Sequence, residues 1–345
     1  MAVKTSFYAN QLRLELAARN RRYARGRVHV ESYGSAPVIV YAPEGERHGN
    51  FFDPAYAAIT ARPEWMRRFS KVHAQAARSL PKADRRWREL DSSTSSDALL
   101  MNIFCTPGVL SAPPFRRALG LDYNADAVFG WKARVPLANG RFDRTEVDLR
   151  LGSLLIEAKL TEGDFQNCEA PMVEQYRDLD VVFDRSLLPT YELPRKRRKE
   201  PAEFPENYSQ ECESYIIDPE SAPGELFAEI AALVAAPNPV AGEVSSIPEC
   251  GYTSYQLIRN VLAAYAEQCS FCVIHDERRP DLREQWFEIM AAVKSAELRT
   301  RLKVVTWQEL AAFLPEDLQG FLDCKYGIVA PGRTPGLVPE EEPSE

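Results

Sequence analysis

Residues 145–166 read TEVDLRLGSLLIEAKLTEGDFQ, in which a Gly-Ser pair separates two runs of mixed apolar and polar residues. A glycine at the first position of a two-residue loop is typical of a type II′ turn, so we predict a β-hairpin. A hairpin can place the polar faces of both arms on one side of its sheet. We therefore expect the side chains of Asp148, Glu157 and Lys159 to converge there.

The alternation along each arm predicts which residues share a face, because successive side chains of a strand point to opposite sides. In the first arm Asp148 is expected on the polar face, and Val147 and Leu149 are expected together on the opposite, apolar face. In the second arm Glu157 and Lys159 are two residues apart and share a face. The hairpin thus predicts one polar, chemically active face.

Two carboxylates and an amine on one strand face can bind a hard divalent cation and act on a phosphate. Mg²⁺ takes carboxylate and carbonyl oxygens and keeps several waters. A metal also removes the repulsion between two neighbouring acids. A lysine beside it can orient or help deprotonate a bound water, or offset charge on a phosphate, so these parts suffice to hydrolyse a phosphodiester. The alternative is an ion pair between Glu157 and Lys159 on a solvated sheet face, a contact of small value.

The spacing of Asp148, eight further residues, and then Glu157-Ala158-Lys159 resembles the core motif of the PD-(D/E)XK, or restriction-endonuclease-like, nuclease superfamily. The resemblance implies an α/β fold with an αβββαβ core, a central mixed sheet flanked by helices, and an active site that uses Mg²⁺ or Mn²⁺. It also implies that Asp148, Glu157 and the backbone carbonyl of Ala158 are metal ligands, and that Lys159 serves the attacking water. Val147 stands where the family has a proline.

Several further polar residues are candidates for the same site. The family often has another acid on its first core helix, and Asp97 is the candidate here. Gln256 and Arg259 share a face of a predicted helix, from which they point at the site or at DNA, or form an interhelical or surface pair. Glu146 and Glu162 are candidates to contact the metal ligands and hold them in place, and the alternative for Glu162 is that it caps the next helix.

Charge is unevenly distributed along the chain. The net charge is −8, yet residues 1–100 contain 17 basic and 10 acidic residues, a net of +7. The overall acidity argues against a general nucleic-acid binder, whereas a basic N-terminal region suits either a DNA-gripping arm or a segment packed on an acidic body. On a helix predicted over 63–79, Arg67, Arg68 and Lys71 are candidates for DNA phosphate contacts, the alternative being arginines at the rim of a core.

The pattern of apolar residues predicts one α/β core with an N-terminal, mainly helical extension. The predicted boundaries are an extension over 1–90, a nuclease-like domain over 91–328 and a disordered acidic tail over 329–345. Helices are predicted over 7–25, 53–61, 63–79, 98–105, 167–178, 222–236, 254–267, 280–296 and 307–313. In addition to the two arms of the hairpin, strands are predicted over 28–30, 38–41, 127–135, 271–275 and 302–306.

The cysteines and the absence of long apolar runs indicate a cytoplasmic protein without a membrane segment. The seven cysteines are scattered, which is typical of reduced thiols. Cys269 and Cys272 are the one close pair, and an iron–sulfur or zinc site with Cys168, Cys212 or Cys250 is the alternative to buried free thiols.

The function predicted from these features is Mg²⁺-dependent hydrolysis of DNA phosphodiester bonds, in restriction, repair or defence against mobile elements. A catalytically weak nucleic-acid-binding protein on the same fold is the first alternative. A metabolic or structural α/β protein with a chance motif is the second. The sequence does not decide whether the substrate is DNA or RNA. It also leaves the oligomeric state open, and a homodimer is one of the options.

Overall fold

The structure is a computed structural model that describes residues 7–32, 37–71, 88–121, 125–192 and 250–334. The predicted helix over 222–236, Cys212 and residues 335–345 of the predicted tail lie outside these ranges. One compact unit comprises residues 1–191 and 251–345, and it contains the elements below except for Glu192 and Cys250. These two residues are the ends of the second unit, residues 192–250, and are the part of it that the structure describes.

The N-terminal part of the chain is mainly helical. Its elements are α1 (Phe7–Tyr23), β1 (His29–Glu31), β2 (Ile39–Tyr41), β3 (Pro43–Glu44), β4 (Arg47–His48), α2 (Asp53–Thr60), α3 (Pro63–Phe69), α4 (Ser96–Phe104) and α5 (Pro113–Leu119). β1 and β2 overlap the strands predicted over 28–30 and 38–41, and they pair antiparallel. On α1, Leu12 and Leu16 are buried whereas Leu14 is 68% exposed, because residues four apart share a helix face and residues two apart do not.

The rest of the described chain alternates strands and helices. Its elements are β5 (Ala127–Pro136), β6 (Phe142–Leu151), β7 (Leu154–Ala158), β8 (Cys168–Glu169), α6 (Ala170–Glu174), α7 (Leu179–Val182), β9 (Thr190–Glu192), β10 (Cys250–Tyr252), α8 (Tyr255–Ala266), β11 (Ser270–His275), α9 (Pro280–Ala292), α10 (Ala296–Thr300), β12 (Leu302–Thr306), α11 (Trp307–Ala311) and α12 (Glu316–Tyr326). The helix predicted over 167–178 is shorter than expected, because the chain turns after α6 and Tyr176 forms a bridge with Leu137.

Five strands form a mixed central sheet in the order β12-β11-β7-β6-β5. β7, β11 and β12 run parallel, and β6 pairs antiparallel with both β5 and β7. One hydrophobic cluster covers each face. The first contains side chains of α1–α5, α11 and α12, and the second contains side chains of α6–α10. The predicted α/β class with a central mixed sheet is therefore confirmed.

The β5–β6 pair changes faces near its middle. Val147 packs into the second cluster, whereas Leu149 packs into the first, so the expectation that both share one face is wrong. The cause lies on the neighbouring strand, where Gly130 has a φ of +63° and interrupts the pairing opposite Asp148. A left-handed residue reverses the local pleat, which glycine tolerates without a steric penalty. The reversal occurs at the aspartate of the motif.

None of the helices in the described part of the chain combines the length and the apolarity that crossing a bilayer requires. Cys269 packs into the second core cluster and Cys272 into the first, so these two thiols lie on different sides of the sheet. This placement gives no support to a joint metal site for the pair.

A buried lysine links the two ends of the chain. Lys325 of α12 is fully buried, and its Nζ donates to Asn20 Oδ1 of α1 at 3.0 Å. The same oxygen accepts from the hydroxyl of Tyr41 at 3.1 Å, and the ring of Tyr326 lies 4.4 Å from Nζ. Burial lowers the pKa of Lys325 well below its usual value.

We expect the replacement Lys325→Met to remove part of the pH dependence of stability. Because the folded pKa is lowered, the unfolded chain binds more protons between that pKa and about 10.4, so the free energy of unfolding rises with pH across this window. Urea titrations at pH 7 and 9.5 should show a smaller rise in the variant than in the wild type. The exposed Lys294→Met is the control, and an equal rise in wild type and Lys325→Met would contradict the prediction.

Candidate active site

The site lies where β6 and β7 separate. The two strands pair from Leu149 and Ile156 towards their turn, and beyond this point Asp148 Oδ2 accepts a hydrogen bond from the backbone N–H of Ala158 at 2.8 Å. On its other side β7 stays attached to β11, because the N–H of Lys159 donates to Ile274 O at 2.8 Å. The carboxylate therefore occupies the gap between two diverging strands.

Glu157 and Lys159 converge as predicted, and α8 closes over them. Lys159 Nζ donates to Glu157 Oε1 and to Gln256 Oε1, each at 2.8 Å. The amide nitrogen of Gln256 donates to the same glutamate oxygen, and Asn260 Nδ2 donates to Glu157 Oε2 at 3.0 Å. The hydroxyl of Thr145 in turn donates to Asn260 Oδ1 at 3.0 Å. Glu157, Lys159, Gln256 and Asn260 are therefore each held by at least two other side chains of this network.

The network is buried, so the alternative of an ion pair on a solvated sheet face is wrong. Glu157 is 1% exposed and Lys159 is 6% exposed. A buried pair is weak evidence for stability, because desolvating both charges offsets much of their attraction. The amides of Gln256 and Asn260 compensate that desolvation with hydrogen bonds.

Lys159 carries a positive charge in this environment. Burial lowers its pKa, but the carboxylates of Glu157, Glu162 and Asp148 outweigh burial, so that the net pKa lies above the usual value. The ammonium has three N–H donors, and two of them are used by Glu157 and Gln256. The third donor has no acceptor among the described residues, so it remains for a water or for a phosphate oxygen.

Asp148 lies where negative charge is concentrated. Burial raises its pKa, and the neighbouring carboxylates of Glu157 and Asp97 raise it further. The side chain keeps 19% exposure, and its Oδ1 has one ionic contact among the described residues, Arg68 Nη2 at 3.7 Å. An electron pair of Oδ1 is thus open to a cation, which would remove the repulsion between the acids.

Arg68 is part of the site rather than of an exposed DNA-binding surface. Its Nη2 lies 2.6 Å from Asp97 Oδ2, and its Nη1 contacts Glu146 Oε1. Burial raises the pKa of Glu146, but Lys132 and Arg68 lower it to about 2, so this acid is ionised and already paired. The predicted phosphate contact of Arg68 is wrong, because the residue is 8% exposed and committed to carboxylates.

The other two basic candidates of this region differ from Arg68. Lys71 Nζ lies 3.2 Å from Glu89 Oε2 and 3.3 Å from Glu146 Oε1, with the side chain 40% exposed. Arg67 is exposed at the end of α3. A phosphate contact by these two side chains stays a prediction.

Glu162 and Arg259 take positions around the site without touching the Glu157–Lys159 pair. Glu162 Oε2 accepts from the N–H of Leu160 at 2.6 Å, and its Oε1 accepts from the hydroxyl of Ser96 at 2.5 Å. It therefore ties the loop after β7 to the start of α4. Arg259 lies 3.6 Å from Asp143 Oδ2, an ion pair between α8 and β6 that fits the structural alternative.

Two residues of the site were not anticipated. Asn260 follows Gln256 by four positions, so both share a helix face, and a polar residue in that apolar run was a usable signal. Arg279 is fully buried, and its guanidinium donates to the carbonyls of Leu160, Glu162 and Gly163. Its position before α9 gives no local sign of this contact with a loop more than a hundred residues earlier.

The donor set of the site suits a hard divalent cation. Asp148 and Glu157 carry carboxylates and Ala158 a backbone carbonyl, which are the kinds of oxygen group that Mg²⁺ or Mn²⁺ prefers. Within the described ranges, no three His, Cys, Asp or Glu side chains form a complete metal-binding group. This is compatible with Mg²⁺, which keeps several waters and is bound through one or two carboxylates.

Comparison with known proteins identifies the family. A family model described as "Restriction Endonuclease associating with ARP" matches residues 15–327. Comparison with curated proteins and with solved structures gives no match. The resemblance to restriction-endonuclease-like nucleases is thereby confirmed. The chain belongs to the family Restriction Endonuclease associating with ARP, and this membership indicates a nuclease.

Proposed function

We propose that the chain is a nuclease that hydrolyses DNA phosphodiester bonds with the help of Mg²⁺ or Mn²⁺. The observation that carries the proposal is the buried ammonium of Lys159, held by Glu157 and Gln256 beside Asp148. The family match indicates a nuclease. The metal, the DNA substrate and the role of each residue are our inference.

We also infer that α4, β5, β6, β7, α8 and β11 are the αβββαβ core of the superfamily. The order of these elements along the chain supports this assignment, with short helices inserted between them. Asp97 on α4 then lies near Asp148, as expected for an acid from the first core helix. The N-terminal extension over 1–90 and the tail over 329–345 stay predicted boundaries.

Asp148, Glu157 and the carbonyl of Ala158 would hold the ion, which would supply a Lewis acid for the phosphate oxygens. Lys159 presents its remaining N–H donor and its charge to the negative phosphate in the transition state. Gln256 and Asn260 fix Glu157 by donating to both of its oxygens. Arg68 holds Asp97 and Glu146, which keeps the surrounding acids paired.

Cleavage assays on a panel of substrates test the proposal. We expect the purified chain to cut DNA in Mg²⁺ or Mn²⁺ and to leave it intact in EDTA. Linear, circular, single-stranded and double-stranded DNA, with matched RNA, would separate endonuclease from exonuclease and DNA from RNA. Glu157→Gln is the variant to compare, because it removes the charge of a proposed ligand while keeping one acceptor oxygen for Lys159 and Gln256. Equal cleavage by wild type and Glu157→Gln would refute the assignment, and binding without cleavage would favour the catalytically weak alternative.

A further inference from the structure

The distal half of the β5–β6 hairpin, residues 132–136 and 142–146, has one packed face and one exposed face. Ala133 and Val135 are buried in the second core cluster, under α8. Thr145 on the same side is fully buried and hydrogen-bonds to Asn260. Antiparallel sheets commonly bury one face in this way and leave the other to solvent.

The exposed face of this hairpin is basic. Lys132, Arg134, Phe142 and Arg144 are all exposed, and we call them the basic hairpin face. Glu146 is the one acid at its inner end, and it lies 2.9 Å from Lys132 Nζ. The guanidinium carbon of Arg134 lies 5.9 Å from the centre of the Phe142 ring. On a chain with a net charge of −8, this concentration of cations calls for an explanation.

Arg134 and Arg144 are directly opposite each other in the register of β5 and β6. Like charges in such a pair destabilise a sheet, whereas opposite charges or aromatic pairs stabilise it. Neither guanidinium has an ion pair with an acid in the part of the chain that the structure describes. The nearby Glu267 accepts from the backbone N–H of Arg134 and lies 3.4 Å from Arg150. An anion between the two arginines would offset their repulsion.

The inner end of the basic hairpin face lies beside the residues that surround Asp148. Arg144 precedes Asp148 by four residues on β6, a distance of about 13 Å at the usual rise of a strand. Glu146 lies between them, and Arg68 joins it to the site by contacting Glu146, Asp97 and Asp148. A duplex presents a phosphate every ~3.4 Å of its axis on each strand, so one substrate can reach both places.

We propose that Arg134 and Arg144 clamp the phosphate backbone of the DNA substrate beside the cleavage site. This inference rests on the proposed function, because it takes the substrate of that site to be DNA. Arginine guanidinium groups suit phosphate oxygens, since their N–H donors can pair with two oxygens at once. Arg134 and Arg144 would make the phosphate contacts that the sequence suggested for Arg68, which is buried.

Binding measurements in EDTA test the clamp without the chemistry. Fluorescence anisotropy with a labelled 30-base-pair duplex would compare wild type with the double variant Arg134→Gln/Arg144→Gln. We expect the slope of log affinity against log salt to fall by about 1.8, which corresponds to two phosphate contacts at ~0.9 each. Arg134→Lys/Arg144→Lys should keep most of the slope, because both charges remain.

The control Arg22→Gln/Arg25→Gln removes two exposed charges, one at the end of α1 and one in the turn that follows it. We expect a smaller change of slope for this variant, and equal changes in both double variants would overturn the clamp. A wild-type slope in Arg134→Gln/Arg144→Gln would overturn it too, while metal-dependent cleavage by the wild type would leave the proposed function standing. The reverse outcome, a reduced slope in a chain that never cuts DNA, would support the clamp and refute the nuclease. A wild type that does not bind the duplex refutes both.

Discussion

Replacing Lys159 by methionine is expected to lower the rate of DNA cleavage by about 100-fold or more, equivalent to about 2.7 kcal/mol of activation free energy. The reason is electrostatic, because the ammonium is buried, charged and left with one uncommitted donor beside Asp148. In a site that excludes water, a charge aimed at a developing negative charge contributes far more than it would in solvent.

The stability of this variant must be measured together with its rate. Removing one partner of a buried ion pair costs roughly 3–5 kcal/mol when the other charge is left unpaired. Here Gln256 and Asn260 still donate to Glu157, and methionine keeps the apolar stem of the lysine, so we expect a smaller cost. Cleavage should be assayed well below the melting temperature, with Mn²⁺ affinity determined on the same preparation.

Lys325→Met is the matched control for Lys159→Met. It removes another buried lysine, at the junction of α1 and α12, and touches none of the proposed ligands. We expect it to alter stability while leaving the cleavage rate per folded molecule near that of the wild type. A folded, Mn²⁺-binding Lys159→Met variant that cuts at the wild-type rate would rule out a catalytic role and remove most of the support for the nuclease assignment.

The part of the site that could be predicted from the sequence is the part made by local geometry. The two-residue spacing of Glu157 and Lys159 places them on one strand face, and helix spacing groups Gln256 with Asn260. The central strands were recognisable from short apolar runs between turn signals. These signals depend on neighbours along the chain, so they can be recognised without knowledge of tertiary contacts.

The rest depended on contacts between distant segments. Whether Glu157 and Lys159 face solvent or core is decided by α8, about a hundred residues later in the chain. The local sequence around the two residues would be the same in either case. Arg68 resembles a surface arginine until Asp97 and Glu146 are placed beside it. The change of faces at Asp148 depends on Gly130 of the neighbouring strand, whose φ of +63° no alternation rule anticipates.

Replacing Asp148 by asparagine is expected to weaken Mn²⁺ binding by at least about 100-fold, or ~2.7 kcal/mol of binding free energy. Changes to groups that only support a ligand typically cost 10- to 100-fold in metal affinity, so loss of a direct carboxylate ligand should reach at least the upper end of this range. The fold should persist, because the amide oxygen of asparagine can still accept from the N–H of Ala158.

Calorimetric titration of Mn²⁺ into wild type, Asp148→Asn and Asp143→Asn makes the comparison specific. Asp143 is on the same strand, and its carboxylate is engaged by the hydroxyl of Tyr176 and by Arg259, away from the Glu157–Lys159 pair. Its replacement removes the same charge, so a general electrostatic effect would weaken both variants alike. Affinity lost only in Asp148→Asn places the ion at the gap between β6 and β7, and equal affinities in all three proteins would show that Asp148 is not a ligand.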